Sequence, residues 1–142
     1  MNNLRATLIL SIFALAPGGP TTAEPVTIAA LGDSLVQGYG LARDLGFVPQ
    51  LQRWLDNQGL AVVVINAGVS GDTTAGGRAR IGWTLGADID ALIVSLGAND
   101  ALRGVDPAAS KANLDAILAT ATARAVPVLL VGIQAPGNFG PE

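Results

Sequence analysis

Three short segments carry residues that suit acyl-transfer chemistry. Ser34 stands two residues after Gly32, where the apolar run Val26–Leu31 ends. A serine on a tight turn presents its hydroxyl, and a short helix starting behind it would favour negative charge at its N-terminus. The same position also suits an ordinary N-cap serine. Asn99 follows Gly97 at the end of Ala91–Leu96, and its amide can donate to an oxyanion. Gly68 lies just beyond Leu60–Asn66, and its N–H can do the same. Singly, Asn99 reads as a turn residue and Gly68 as a loop glycine. Together with Ser34 N–H they make three donors at three successive strand ends, an arrangement that stabilises a tetrahedral intermediate. Asp33 and Asp100 share the same rim. Asp33 suits support of the Ser34 turn through backbone N–H groups, and Asp100 suits ordering of its loop.

What is missing is as informative. The 142 residues contain no histidine and no cysteine. No His- or Cys-ligated metal, no disulfide and no Cys nucleophile is available. A serine mechanism that needs imidazole must find it outside these residues. Half the chain is hydrophobic, 13% is charged and 4% is aromatic. That composition excludes disorder, collagen and coiled coil, and the length fits one domain. Eight basic and eleven acidic residues give a net charge of −3. The basic residues are scattered, so no nucleic-acid partner is expected.

The elements that must position the three donors alternate along the chain. Val26–Leu31 reads as a strand buried on both faces. Leu45–Gln58 has Phe47, Leu51, Trp54 and Leu55 at helical spacing and ends before Gly59. Leu60–Asn66 is a second strand. Gly68–Gly77 reads as a loop, with Asp72-Thr73-Thr74 as a helix start, and Arg78–Leu85 is a weak helix. Ala91–Leu96 is a third strand. Asp106 as N-cap and Pro107 at N1 start a helix that runs to about Ala125. Its expected apolar stripe is Ala109, Leu114, Ile117, Leu118 and Ala121. Val126–Ile133 is a fourth strand. This order predicts a parallel α/β sheet with right-handed crossovers and a ligand rim at the strands' carboxyl ends. Gln134–Asn138 is expected on that rim. Arg78, Arg80 and Lys111 read as solvated surface charges.

Residues 1–23 have the layout of a secretory signal peptide: one early positive charge, the apolar run Ala6–Ala16, then Pro17–Pro20 and small residues up to Ala23. The competing reading is an N-terminal core helix. The run is too short to span a bilayer, so no stable membrane anchoring is expected after cleavage. Export to the periplasm or medium follows, with residues 24–142 as the folded unit.

Ala30-Leu31-Gly32-Asp33-Ser34-Leu35 resembles the first block of the SGNH (GDSL-type) hydrolases. Asn66-Ala67-Gly68-Val69-Ser70-Gly71-Asp72-Thr73 resembles the second block, and Leu96-Gly97-Ala98-Asn99-Asp100 the third. Three blocks in order, each ending an expected strand, are far more specific than a bare Gly-Asp-Ser. The run Asn99–Gly104 and the tail Gln134–Gly140 look most like the periplasmic acyl-CoA thioesterase I, lysophospholipase and arylesterase group. The resemblance implies a flavodoxin-like three-layer α/β/α sandwich. It implies Ser34 as nucleophile, with Ser34 N–H, Gly68 N–H and Asn99 as the oxyanion hole. The implied reaction is hydrolysis of a small acyl ester or thioester through an acyl-serine, with no cofactor.

The family's fourth block, Asp-x-x-His, supplies its general base and the Asp that orients it. The sequence reaches Glu142 without that block. The expectation is an incomplete domain of about four strands, lacking the fifth strand and last helices, with an exposed fourth strand. The alternative is an inactive remnant that binds a small acyl ligand. An unrelated flavodoxin-like ligand domain is disfavoured, because the first loop lacks the phosphate-cradling pattern G-x-G-x-x-G or G-x-x-x-x-G-K-[ST].

Overall fold

The computed structural model describes residues 24–86 and 88–134. The expected signal peptide and Ala135–Asn138 lie outside them. Among the described residues, four parallel strands form one sheet: β1 (Val26–Gly32), β2 (Val62–Gly68), β3 (Ala91–Ser95) and β4 (Val128–Leu130), in the order β2-β1-β3-β4. Five helices connect them: α1 (Ser34–Gln37), α2 (Phe47–Asn57), α3 (Thr74–Thr84), α4 (Ala98–Leu102) and α5 (Pro107–Ala123). The expected three-layer α/β/α architecture is present.

Alternation along the strands divides the core in two. Ala30, Val64 and Ile93 face α1 and α2, where they pack with Val36, Val48 and Leu55. Ala29, Leu31, Leu92, Val94 and Leu96 face α3 and α5, against Ile81, Leu85, Ile117 and Ala121. Each helical layer covers only part of its face. Val63 and Ile65 of β2, on the α3–α5 side, stay exposed, as does Leu129 of β4 on the opposite side.

Several boundaries differ from the sequence expectation for local reasons. β2 starts at Val62 rather than Leu60, because Leu60 N–H closes the end of α2 onto Leu55 O. α2 turns a different face inward. Val48 and Leu55 are buried with Leu51 half-buried, while Phe47 and Trp54 are 41% and 57% exposed. The helical period was legible there, but the aromatics lie beside the buried stripe. In α5, Ile117 and Ala121 are buried and Leu114 and Leu118 half-buried, as expected, whereas Ala109 is exposed. α3 begins at Thr74, not Arg78: Thr73 Oγ1 accepts from Gly76 N–H and caps it. The Asp72-Thr73-Thr74 start signal therefore outweighs the two glycines behind it. β4 is shorter than Val126–Ile133, since Val126 N–H still bonds Ala121 O at the end of α5 and Pro127 has no N–H.

Candidate active site

The carboxyl ends of β1, β2 and β3 lead directly into the three segments singled out above. β1 ends at Gly32, and a Cβ there would collide with the Val36 side chain. Only glycine lets the chain reverse this tightly, so α1 folds back and Ser34 is left at its first position. Asp33 caps the turn: its Oδ1 accepts from Leu35 N–H at 3.0 Å. α1 has only four residues, so individual N–H groups matter here rather than a macrodipole. Ser34 is half-buried, and its N–H bonds no other backbone group among the described residues.

Asn99 sits in α4, and its amide reaches across to the same turn. Nδ2 donates to Asp72 O at 2.9 Å and, more weakly, to Asp33 Oδ2 at 3.3 Å. The amide thus lies between the β2–α3 loop and the residue before Ser34. The long second contact leaves one proton that an incoming oxyanion can take over.

Gly68 N–H is not free for the role expected of it. Its N–H donates to Asn66 Oδ1 at 2.9 Å, while Asn66 Nδ2 donates to Val36 O at 3.1 Å. A Cβ on Gly68 would run into the backbone of Gln37. Gly68 is therefore a close-approach glycine that seats the end of α1 on β2, with its donor already occupied. Three residues on, Gly71 N–H bonds no other backbone group among the described residues. Gly71 also adjoins Asp72, the residue whose carbonyl Asn99 holds, and its own carbonyl accepts from Arg103 Nη2 at 2.7 Å. Gly71 is the candidate donor that the sequence reasoning passed over. The signal was in the quoted second block, but spacing alone does not say which glycine N–H is free.

The two rim aspartates separate in role. Asp33 is buried beside Ser34 and touches Asn99. Asp100 is buried and turned away: its carboxylate accepts from Thr74 N–H at 2.8 Å, Thr74 Oγ1 at 2.6 Å and Ser110 Oγ at 3.0 Å. It ties α3, α4 and α5 together, in keeping with an ordering role.

Arg80 is not a solvated charge. Nε donates to Asp72 Oδ2 at 2.6 Å, Nη1 to Ala67 O at 2.7 Å and Nη2 to Gly32 O at 2.9 Å. Its side chain is only 23% exposed. Arg78 and Lys111 are exposed as expected, and Lys111 pairs with Asp115 one turn on.

Residues 30–142 match the family model described as GDSL-like Lipase/Acylhydrolase family. The chain belongs to that family. This GDSL-like acylhydrolase chain is 44% identical over 117 residues to Esterase TesA of Pseudomonas aeruginosa, covering 82% of itself and 58% of TesA. It is 34% identical over 116 residues to Thioesterase 1/protease 1/lysophospholipase L1 of Escherichia coli K12, covering 80% of itself and 54% of that protein. Among solved structures it resembles AlinE4, an SGNH-hydrolase family esterase, with a TM-score of 0.80 and 43% identity over 84% of this chain and 65% of that one. A psychrotrophic esterase EstA from Pseudoalteromonas sp., solved in a form inhibited by monoethylphosphonate, gives a TM-score of 0.76 at 36% identity, over 81% of this chain and 63% of that one. The GDSL-like acylhydrolase chain thus spans little more than half the length of these curated relatives.

Proposed function

We propose that these residues form the nucleophile and oxyanion part of a serine acylhydrolase for small acyl esters or thioesters. Ser34 Oγ attacks the acyl carbonyl, and its proton passes to a base from outside these residues, water or added imidazole. The oxyanion that forms takes donors from Ser34 N–H, Asn99 Nδ2 and Gly71 N–H. Collapse expels the alcohol or thiol, and water then hydrolyses the acyl-Ser34 ester. Gly71 replaces Gly68 in this reading because its N–H is free. The observation that carries the proposal is the Asn99 amide held beside the Ser34 turn, 2.9 Å from Asp72 O. Both ester and thioester hydrolysis agree with the names of the relatives.

The base is not among these residues, since the chain has no histidine. Serine hydrolases lacking one triad member keep a residual acceleration of about 10³–10⁴ over water from binding and the oxyanion hole. The chain alone should therefore turn over slowly, and imidazole in the buffer should speed it. The test is p-nitrophenyl acetate and butyrate hydrolysis by the chain and by Ser34→Ala, with a serine-directed phosphonate followed by mass spectrometry. The expected result is a rate above Ser34→Ala and an adduct on Ser34; EstA's inhibition by a phosphonate motivates the probe. Equal rates and no adduct would favour the second reading, a small acyl-ligand binder.

Export rests on residues 1–23. Secretion from a bacterial host with a mature N-terminus at Glu24 is expected, and an uncleaved intracellular product would overturn it.

A further inference from the structure

Three backbone segments must stay in register for the Ser34, Gly71 and Asn99 donors to converge, and one side chain touches the supports of all three. Arg80 Nη2 holds Gly32 O, two residues before Ser34. Nη1 holds Ala67 O, at the end of β2 where the chain leaves for Gly71. Nε holds the Asp72 carboxylate, and the carbonyl of that same residue holds the Asn99 amide. Guanidinium is planar with donors in a fixed fork, so the three acceptors are fixed relative to one another. A lysine would offer one ammonium on a flexible stem and could not span them. The two carbonyls also lie at the carboxyl end of a parallel pair, where Val69 N–H already bonds Gly32 O at 3.0 Å. Arg80 therefore extends the β1–β2 ladder with a side chain just where the ladder stops.

Resting on the acylhydrolase reading, we propose that Arg80 is the positioning residue that sets the spacing between the nucleophile turn, the β2–α3 loop and Asn99. It touches no substrate. Its removal leaves the donors present but out of register. Misplacement on the ångström scale costs about 100-fold in rate.

The experiment compares the wild-type chain with Arg80→Met, Arg80→Lys and the exposed control Arg78→Met, in buffer containing imidazole. A p-nitrophenyl alkylphosphonate forms a P–O bond to Ser34 Oγ, p-nitrophenolate leaves, and the serine proton passes to imidazole. Saturation of the labelling rate separates the limiting rate from half-saturation. For Arg80→Met the expected change is a loss of about 100-fold in limiting rate with half-saturation within about threefold, at unchanged fold by circular dichroism. Arg80→Lys should recover only part of the loss, and Arg78→Met should match wild type. Equal limiting rates for Arg80→Met and wild type would overturn the proposal and leave the acylhydrolase reading intact. If wild type itself does not label Ser34, that reading fails, and amide NMR decides the positioning role separately. Arg80→Lys should then shift the Ser34 and Gly71 N–H signals and the Asn99 side-chain amide while Arg78→Met does not. Unmoved signals would overturn it.

Discussion

The two edges of the sheet are built on opposite plans. At β2 the side chain of Gln52 lies along the strand: Nε2 donates to Val62 O and Oε1 accepts from Val64 N–H, both at 2.8 Å. One primary amide copies the donor and acceptor of a missing neighbouring strand. α2 carries it and covers that face of β2. At β4 no such device exists among the described residues. Pro127 O and Val131 N–H turn inward to β3, so by alternation Val128 and Leu130 direct their peptide groups outward. Leu129, Leu130, Val131 and Ile133 are exposed beside them. An apolar groove of about 600 Å³ runs between this strand, Leu102 and Leu114. Among the described residues one edge is terminated and the other is left able to pair.

Four substitutions break or sharpen that contrast. Ile117 is fully buried under β3 and is the anchor of α5 on the open side. Ile117→Ala should cost about 2–5 kcal/mol in urea unfolding, by lost transfer energy and the cavity left behind. A smaller loss would mean that the open side of the sheet is already loosely packed. Gln52→Leu keeps the volume but strands two edge peptide groups. A loss of about 1–3 kcal/mol is expected, with faster aggregation on heating. If stability and aggregation stay as in wild type, Gln52 is not what terminates the β2 edge. Leu129→Lys tests the other side. Stability should stay within about 0.5 kcal/mol, while concentration-dependent light scattering falls. Unchanged scattering would show that β4 is not the self-associating edge. Lys111→Ala on α5 sets the floor: the exposed pair with Asp115 is worth no more than about 0.5 kcal/mol, and less in high salt.

Much of this architecture was legible because it rests on patterns that recur along the chain. The four apolar runs became the four strands, and Asp106-Pro107 marked the start of α5. The family blocks put Asn99 on the same rim as the Ser34 turn, where its amide reaches Asp33. What escaped depends on partners that no spacing reveals. Arg80 looks like any helical arginine until its acceptors are seen, and two of the three are main-chain carbonyls. Gly68 and Gly71 sit in one block, and only the Asn66 side chain decides which N–H remains free. Phe47 and Trp54 fit a helical stripe as well as Val48 does, yet the sheet selects a face one residue over. The short helix α4 has too few residues to show a period.

The strand order carries a consequence for how the chain is assembled. β1 is the first strand in sequence and lies in the interior of the sheet; β2 adds on one side of it, β3 on the other, and β4 beyond β3. Among the described residues every strand joins an edge that already exists, and none is inserted between two that have paired. A chain emerging from the ribosome N-terminus first can therefore lay down this sheet in the order of its synthesis, with no strand held in waiting. The serine turn, directly after β1, would be framed on both sides before β4 is made.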